Sequence, residues 1–284
     1  MGNSNIMKHL ADLHVHTTAS DGAWTPAEVV QAAANLGLGA IGITDHDTVD
    51  GLEEALEAGK KSGIIVAPGI EISAIHGHNT EVHVLGYFFN HHHPTLVEQL
   101  NVLHDSRANR GRKMVEQLND AGVPITFERV MELAQGGAIG RPHVARALME
   151  IGEVNSIDAA FGKWLQEGAP GYVGRYKISP DDAVRLIIQA GGVACCAHPG
   201  KLNRDEILVD LISEGMRAIE VRHPDHGPAT TRYYQKFAAK RGLIATGGSD
   251  SHCIIGGKRT QIGSVTVSVE VVDQLKEAAA GVRI

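Results

Sequence analysis

The sequence predicts an α/β barrel of mostly parallel strands carrying an all-helical insertion. Three observations lead there. Short apolar runs alternate with capped helical stretches from the start of the chain, the pattern of strand and helix units on a mostly parallel sheet. The units are numerous enough for a closed or nearly closed barrel. Between about residues 95 and 177 the alternation stops, and only helical patterns follow one another.

The elements can be justified in order. "ADLHVHT" reads as a strand, and Thr25-Pro26 then supplies an N-cap and a first-turn proline for "AEVVQAAANLG", which ends on a glycine stop. "GAIGIT" and "TVDGLEEALEAGKKSG" repeat the unit, and "GIIVAPGIEIS" and "EVHVLGYF" add two strands. After the insertion, Ser179-Pro180 opens a helix before the strand "GGVACCAH", and "AIEVRH" and "LIATGGSD" follow. The insertion contains "TLVEQLNVLHDSRANRGRKMVEQLNDAG", "FERVMELAQGG", "GRPHVARALMEIG" and "SIDAAFGKWLQEG", each read as helix. The expected organisation is residues 1–94 and 178–284 as the two parts of the barrel and residues 95–177 as the insertion. The run His91-His92-His93 before Pro94 admits a metal site, but a solvated loop is the preferred reading.

Composition bounds the function. A chain of 284 residues, 43% hydrophobic, can bury a large core. No segment approaches the roughly 18 uninterrupted apolar residues of a membrane span, and the start lacks a signal-like apolar run. A cytoplasmic protein without a membrane role is therefore expected, with no obligate protein partner inferred. Cys195, Cys196 and Cys253 form no spaced disulfide framework and read as reduced, with the adjacent pair in the core. The formal charge of −7 argues against a sequence-indifferent grip on long nucleic acid. Residues 101–177 nevertheless hold ten Lys and Arg against nine Asp and Glu, so basic residues are enriched in the insertion.

The unusual number is 16 histidines in a chain with 4% aromatic residues. In a strand, residues two apart share a face, so Asp12, His14 and His16 are expected to point into the barrel and Leu13 and Val15 under the helices. An HxH pair alone is equally an ordinary polar strand end. The pattern repeats, however: His46 follows the second strand, Glu71 and His83 lie on the next two, His198 follows "CCA", and Asp250 and His252 follow "GGS". So many imidazoles and carboxylates at equivalent strand ends point to divalent cations, with Zn, Mn or Fe suited to the mixed donors. Asp45 and Asp47, flanking His46, are expected to orient neighbouring ligands.

"DLHVHTTASDG", "GITDHDT", "GIEIS", "CAHPG" and "GSDSH", in this order, resemble the polymerase and histidinol phosphatase (PHP) superfamily over about residues 10–90 and 178–260. The resemblance implies a distorted seven-stranded β/α barrel with up to three metal ions at the strand ends, and an insertion capping the C-terminal ends of the strands. "IGRPHVARAL" and "GYVGRYKIS" resemble the TrpH-like branch, and within it the 3′,5′-nucleoside bisphosphate phosphatases. Carried over, the motifs imply one ion at His14, His16, Glu71 and Asp250, and a second at Glu71, His83 and His198. A third is implied at Asp21, His46 and His252. Many members have histidine where this chain has Asp21, and the harder oxygen donor shifts that position toward Mn or Mg.

Such ions support phosphate ester hydrolysis without a serine or cysteine nucleophile. His223 is the candidate proton donor and His226 the second, both also candidates for phosphate binding. In the insertion, Arg107 and Arg110 share a helix face and are candidates to clamp a second phosphate, against the alternative of a solvated charge run. Arg141, His143, Arg175 and Lys177 are further substrate candidates, with capping as the alternative for "GRPH". The resulting expectation is a phosphatase acting on the 3′-phosphate of nucleoside 3′,5′-bisphosphates. The alternatives are a 5′ to 3′ exonuclease on short 5′-phosphorylated oligonucleotides and a non-catalytic metal-binding domain.

Overall fold

The structure, a computed structural model, describes residues 9–77, 79–135, 139–174, 178–253 and 261–281, except for the side chains of residues 104 and 106–108. Its contacts divide it into two compact units, Met1–Glu98 with Lys177–Ile284, and Gln99–Tyr176.

The first unit is built on a sheet of eight strands: β1 (Leu10–Val15), β2 (Ala40–Ile43), β3 (Ile65–His76), β4 (Thr80–Tyr87), β5 (Val193–Cys196), β6 (Ala218–Arg222), β7 (Ile244–Gly247) and β8 (Val267–Ser268). Their spatial order is β7-β6-β5-β4-β3-β2-β1-β8. The sheet almost closes. A bridge joins Val15 to Ser251, just past β7, and the His16 N–H donates to Ser251 O at 2.9 Å. This is the expected α/β barrel with one strand more than seven. The extra strand, β8, is a two-residue antiparallel pairing with Leu10 and Ala11, too short to leave a periodic signal.

The sheet is not parallel throughout, and one expectation about it needs correction. β4 runs antiparallel to both β3 and β5. Only three residues separate β3 from β4, enough for a hairpin and far too few for a crossover helix. The strict alternation expected of β1 fails, because its register against β2 shifts between Asp12 and Val15. At such a bulge neighbouring side chains lose their alternation. Leu13 therefore packs with Ala67, Leu85, Tyr87 and Cys195, on the face that carries Glu71 and His83 further along their strands. Asp12 turns away from the histidines to accept N–H groups from Ser249 at 2.9 Å and Gly263 at 2.8 Å.

The helices of this unit start and stop where local chemistry dictates. Thr25 caps helix Pro26–Leu36 in a reciprocal capping box with Glu28, and Gly37 ends it in the left-handed conformation. Ser179 caps helix Pro180–Gln189. Among the described residues the regular elements of the second unit are all helical: Phe127–Ala134, Arg141–Glu150, Ile157–Ala160 and a π-helical turn Phe161–Leu165 pack with most of the long helix Pro94–Asp120. Its own core includes Met114, Leu118, Phe127, Val130, Leu148 and Leu165. Among the described residues, no helix is long and apolar enough to cross a membrane.

Candidate active site

The polar residues gather at the ends of the strands because the loops there are tied to one another. The loop after β2 is zipped to β3: the Glu71 N–H donates to Asp45 O and the Asp47 N–H to Glu71 O, each at 3.0 Å. Asp45 then reaches across to the loop after β1, accepting from Thr17 N and Thr17 Oγ1 at 2.7 Å and Ser20 Oγ at 2.6 Å. Asp47 accepts from Ser73 N at 2.7 Å. These two aspartates thus hold the segments that carry His16, Asp21, His46 and Glu71.

Backbone shape contributes as well. Asp47, His198 and Asp250 all adopt positive φ, 52°, 29° and 50°. Strain of that kind, about 1–3 kcal/mol per residue, persists only where the surroundings over-determine it and clusters at functional sites. Close approach does the rest at Gly248, where a Cβ would stand 2.3 Å from His14 N and 2.4 Å from His14 Cβ.

Glu71 is the hub. Its Oε2 lies 3.2 Å from His14 Nε2, His16 Nε2 and His46 Nδ1, and its Oε1 lies 2.8 Å from His83 Nδ1 and 3.2 Å from His198 Nε2. Asp250 Oδ1 stands 3.2 Å from His16 Nε2 and 3.5 Å from His14 Nε2. Asp21 Oδ1 stands 3.2 Å from His252 Nε2. Donor atoms within 4.8 Å of one another fall into three groups here: His14, His16, Glu71 and Asp250; His16, Asp21, His46 and His252; and His46, Glu71 and His83. His46 thus stands with Glu71 and His83 as well as with Asp21 and His252, while His198 joins through Glu71 Oε1. These residues border a cleft of about 310 Å³, lined by His46, Glu71, His83, His198, Lys201, Asp250 and His252.

Without a cation, the imidazoles and carboxylates of the cluster favour charge on one another. Burial disfavours charge on every group, yet the carboxylates outweigh it for His16, raised to about 10, and for His83, raised to about 9. His14 is likewise held well above its usual value, against burial, by Glu220, Glu71 and Asp250. His46 goes the other way, driven well down by burial. Burial opposes ionisation of Glu71, Asp21 and Asp250, but the surrounding rings hold all three well below the usual carboxylate range. Moreover, among the described residues His16 Nδ1 and His46 Nδ1 are buried and make no hydrogen bond of good geometry, His46 Nδ1 despite lying 3.2 Å from Glu71 Oε2. Buried polar atoms without partners are rare in folded proteins. Orphaned imidazole nitrogens beside carboxylates are the donor set that divalent cations satisfy, so the residues present fit such ions.

Around this cluster the predicted substrate residues divide. His223 is buried at its edge, with Nε2 3.3 Å from Asp250 Oδ2 and Nδ1 accepting the Asp225 N–H at 3.1 Å. His226 is committed elsewhere: Nδ1 donates to Val221 O and Nε2 accepts the Gly200 N–H, both at 3.0 Å. That pins the loop after β5 to β6 and leaves neither ring nitrogen for a phosphate or a transferred proton, which corrects its reading as a second candidate.

In the helical unit, the buried Arg110 donates from Nε to Val173 O at 2.7 Å. Arg141 stacks on Phe161. His143 Nδ1 accepts the Gly140 N–H at 3.0 Å and so caps its own helix. The Arg107 side chain, Arg175 and Lys177 lie outside the described residues. The cysteines Cys195, Cys196 and Cys253 are free and buried, as expected of core thiols.

Two residues escaped the sequence reading. Glu220, buried on β6, lies 3.0 Å from His14 Nδ1 and accepts the His198 N–H at 2.7 Å. A glutamate inside the apolar run "AIEV" was the available signal. Lys201 places Nζ 3.0 Å from Asp225 and 3.5 Å from Asp250 and is the cleft's own cation. Nothing in the local sequence separates it from a surface lysine.

Comparison with known proteins accords with this geometry. The PHP domain family matches residues 12–139. The chain is 36% identical over 247 residues to a 3′,5′-nucleoside bisphosphate phosphatase of Chromobacterium violaceum, covering 85% of this chain and 86% of that one. The chain belongs to the PHP family. It is also 35% identical over 248 residues to a 5′-3′ exoribonuclease of Escherichia coli, covering 85% of this chain and 84% of that one. Among solved structures, a candidate metal-dependent phosphoesterase from Bifidobacterium adolescentis superposes with a TM-score of 0.86 at 30% identity, over 94% of this chain and 96% of that one. The match to the Bifidobacterium adolescentis structure spans nearly the full length of this PHP chain and of that one.

Proposed function

We propose that this PHP chain is a metal-dependent phosphatase that removes the 3′-phosphate of nucleoside 3′,5′-bisphosphates, such as 3′-phosphoadenosine 5′-phosphate, leaving the 5′-monophosphate. The observation that carries the chemistry is the convergence of six imidazoles and three carboxylates on Glu71 and its neighbours. The choice of substrate is supported by the similarity to the Chromobacterium violaceum phosphatase.

His14, His16, Glu71 and Asp250 would hold one ion. Glu71 with His83 and His198 would hold a second, and Asp21, His46 and His252 a third. Manganese suits the mixed nitrogen and oxygen donors, with Fe, Zn or Mg as the other choices. Bound there, the ions supply an acidified water and neutralise charge on the phosphoryl oxygens.

The protein's own groups do the rest. Glu220 accepts the His14 Nδ1 proton, which presents Nε2 to the cluster and fixes that ring's tautomer. Because His223 Nδ1 accepts from Asp225 N, the ring's N–H lies at Nε2, at the edge of the cluster. That N–H is placed to hydrogen-bond the departing 3′ oxygen and stabilise the charge that develops there. Lys201 offers a positive charge to a non-bridging phosphoryl oxygen. Arg107, Arg110, Arg141, His143 and Lys177 would supply the grip on the 5′-phosphate. The setting we infer is cytoplasmic, with no protein partner needed for the reaction.

The test is phosphate release from adenosine 3′,5′-bisphosphate with Mn²⁺, beside 3′-AMP, 5′-AMP and a 5′-phosphorylated trinucleotide. Strong preference for the bisphosphate, with 5′-AMP as product, is expected. Comparable turnover of 3′-AMP would remove the 5′-phosphate grip. The second reading, trimming of short 5′-phosphorylated oligonucleotides, is favoured by the nearly equal similarity to the Escherichia coli exoribonuclease. Faster release of mononucleotides from the trinucleotide would select it, with the same residues at work.

A further inference from the structure

Outside the active-site cluster the barrel unit holds one more convergence of metal-binding side chains among the described residues, made by Glu53, His91 and His92. His91 Nε2 lies 2.8 Å and His92 Nε2 3.2 Å from the same oxygen, Glu53 Oε1, and the two rings are 4.2 Å apart between centroids. The carboxylate comes from the first turn of helix Leu52–Ser62, and the imidazoles from the turn between β4 and the helix that starts at Pro94. The turn is shaped before any ligand arrives. Asn90 Oδ1 accepts the His92 N–H at 3.0 Å, Asn90 O accepts the His93 N–H at 2.9 Å, and Val97 N closes on His93 O at 3.0 Å.

We propose that Glu53, His91 and His92 form a second, separate site for a divalent transition metal of the zinc class. Two imidazoles and a carboxylate are a recurrent three-residue zinc set that leaves a position for water. Ligand bonds of about 2.0–2.2 Å at tetrahedral angles place donor atoms about 3.3 Å apart. The two His to Glu distances already lie close to that, so binding requires small side-chain adjustments and no rebuilding of the backbone. The donors are too few in oxygen for Mg²⁺ or Ca²⁺, which sets the selectivity. His91 is largely covered while His92 and Glu53 are 72% and 69% exposed, so an ion can enter from solvent. The bound ion would clip the start of one barrel helix to the connection that leads out of β4. The site shares no residue with the active-site cluster and is independent of the reaction proposed above.

The experiment is zinc content after equilibrium dialysis against micromolar free Zn²⁺, for the wild-type chain, His92→Ala, the double variant His91→Ala/His92→Ala, and Glu53→Gln. The wild type should retain one equivalent more than the double variant. His92→Ala should weaken that equivalent by more than the roughly tenfold that even changes outside the ligand shell produce. Replacing Zn²⁺ by Mg²⁺ should abolish the difference. Thermal unfolding with a chelator present checks that the variants are folded, and the exposed His92→Ala keeps the test decisive if the double variant is not. Equal zinc content in folded wild type and variants would overturn the proposal. So would a lost equivalent accompanied by lost phosphate release, because the ion would then belong to the active-site cluster.

Discussion

Glu220 Oε1 stands 3.0 Å from His14 Nδ1, both side chains fully buried, while its second oxygen accepts the His198 N–H at 2.7 Å. One carboxylate therefore orients a ring on β1 and the backbone of the loop after β5. In Glu220→Gln only one side-chain atom remains an acceptor, so one of the two N–H groups loses its partner. Metal affinity should fall about 10–100-fold, as changes behind a ligating histidine typically cause. Manganese titration followed by calorimetry checks this. Activity restored at high Mn²⁺ would separate positioning from direct participation.

Gly248 leaves no room for a side chain against His14. Gly248→Ala should push that ring from its place and destabilise the fold by about 1–3 kcal/mol, the usual range for overpacking. Chemical denaturation together with metal content measures both effects. Unchanged metal content in the folded variant would mean that His14 is not a ligand.

Asp21 faces His252 across 3.2 Å and is half-buried at the edge of the cluster, so it can be replaced without opening the core. Asp21→Ala should lower the number of bound ions by one while leaving the unfolding midpoint of the chelated protein within a few degrees of the wild type. Elemental analysis decides: unchanged stoichiometry would remove Asp21 from the coordination shell.

Lys201→Met removes the cleft's cation and keeps most of the stem. KM should rise about tenfold with a smaller change in kcat, as expected of a group that binds the phosphoryl oxygens in ground and transition state alike. Steady-state kinetics on the bisphosphate test it, and an unchanged KM would confine Lys201 to its ion pairs with Asp225 and Asp250.

The histidine pKa values give a pH prediction. In the metal-free chain, the raised values of His16 (about 10) and His83 (about 9) contribute stability that is fully present below their ordinary 6.5 and is lost as pH rises through 9 and 10. Glu71, Asp21 and Asp250, held well below the usual carboxylate range, contribute stability that is lost as pH falls through their depressed values. The chelated protein should therefore lose thermal stability between pH 8 and 10.5 more steeply than the Mn²⁺-loaded one. Metal binding near pH 7.5 should also release about three protons, from His14, His16 and His83. Calorimetry in buffers of different ionisation enthalpy counts them.

The sequence by itself determined the strand and helix alternation, the helical interruption and the chemical identity of the donors, because side-chain period, capping and residue type are local properties. His14, His16, His46, Glu71, His83, His198, Asp250 and His252 were legible as strand-end donors for that reason. Only the tertiary structure decided which way they face and what else they touch. The bulge in β1 turned Leu13 inward and sent Asp12 to the backbone of Ser249 and Gly263, against strict alternation. The hairpin made β4 antiparallel. His226 was claimed by Val221 O and Gly200 N, and Glu220 was recruited to His14 from 206 residues away. Glu53 met His91 and His92 across 38 and 39 positions. Contacts at such separations depend on how the sheet curls and which loops it brings together, and no local pattern encodes that.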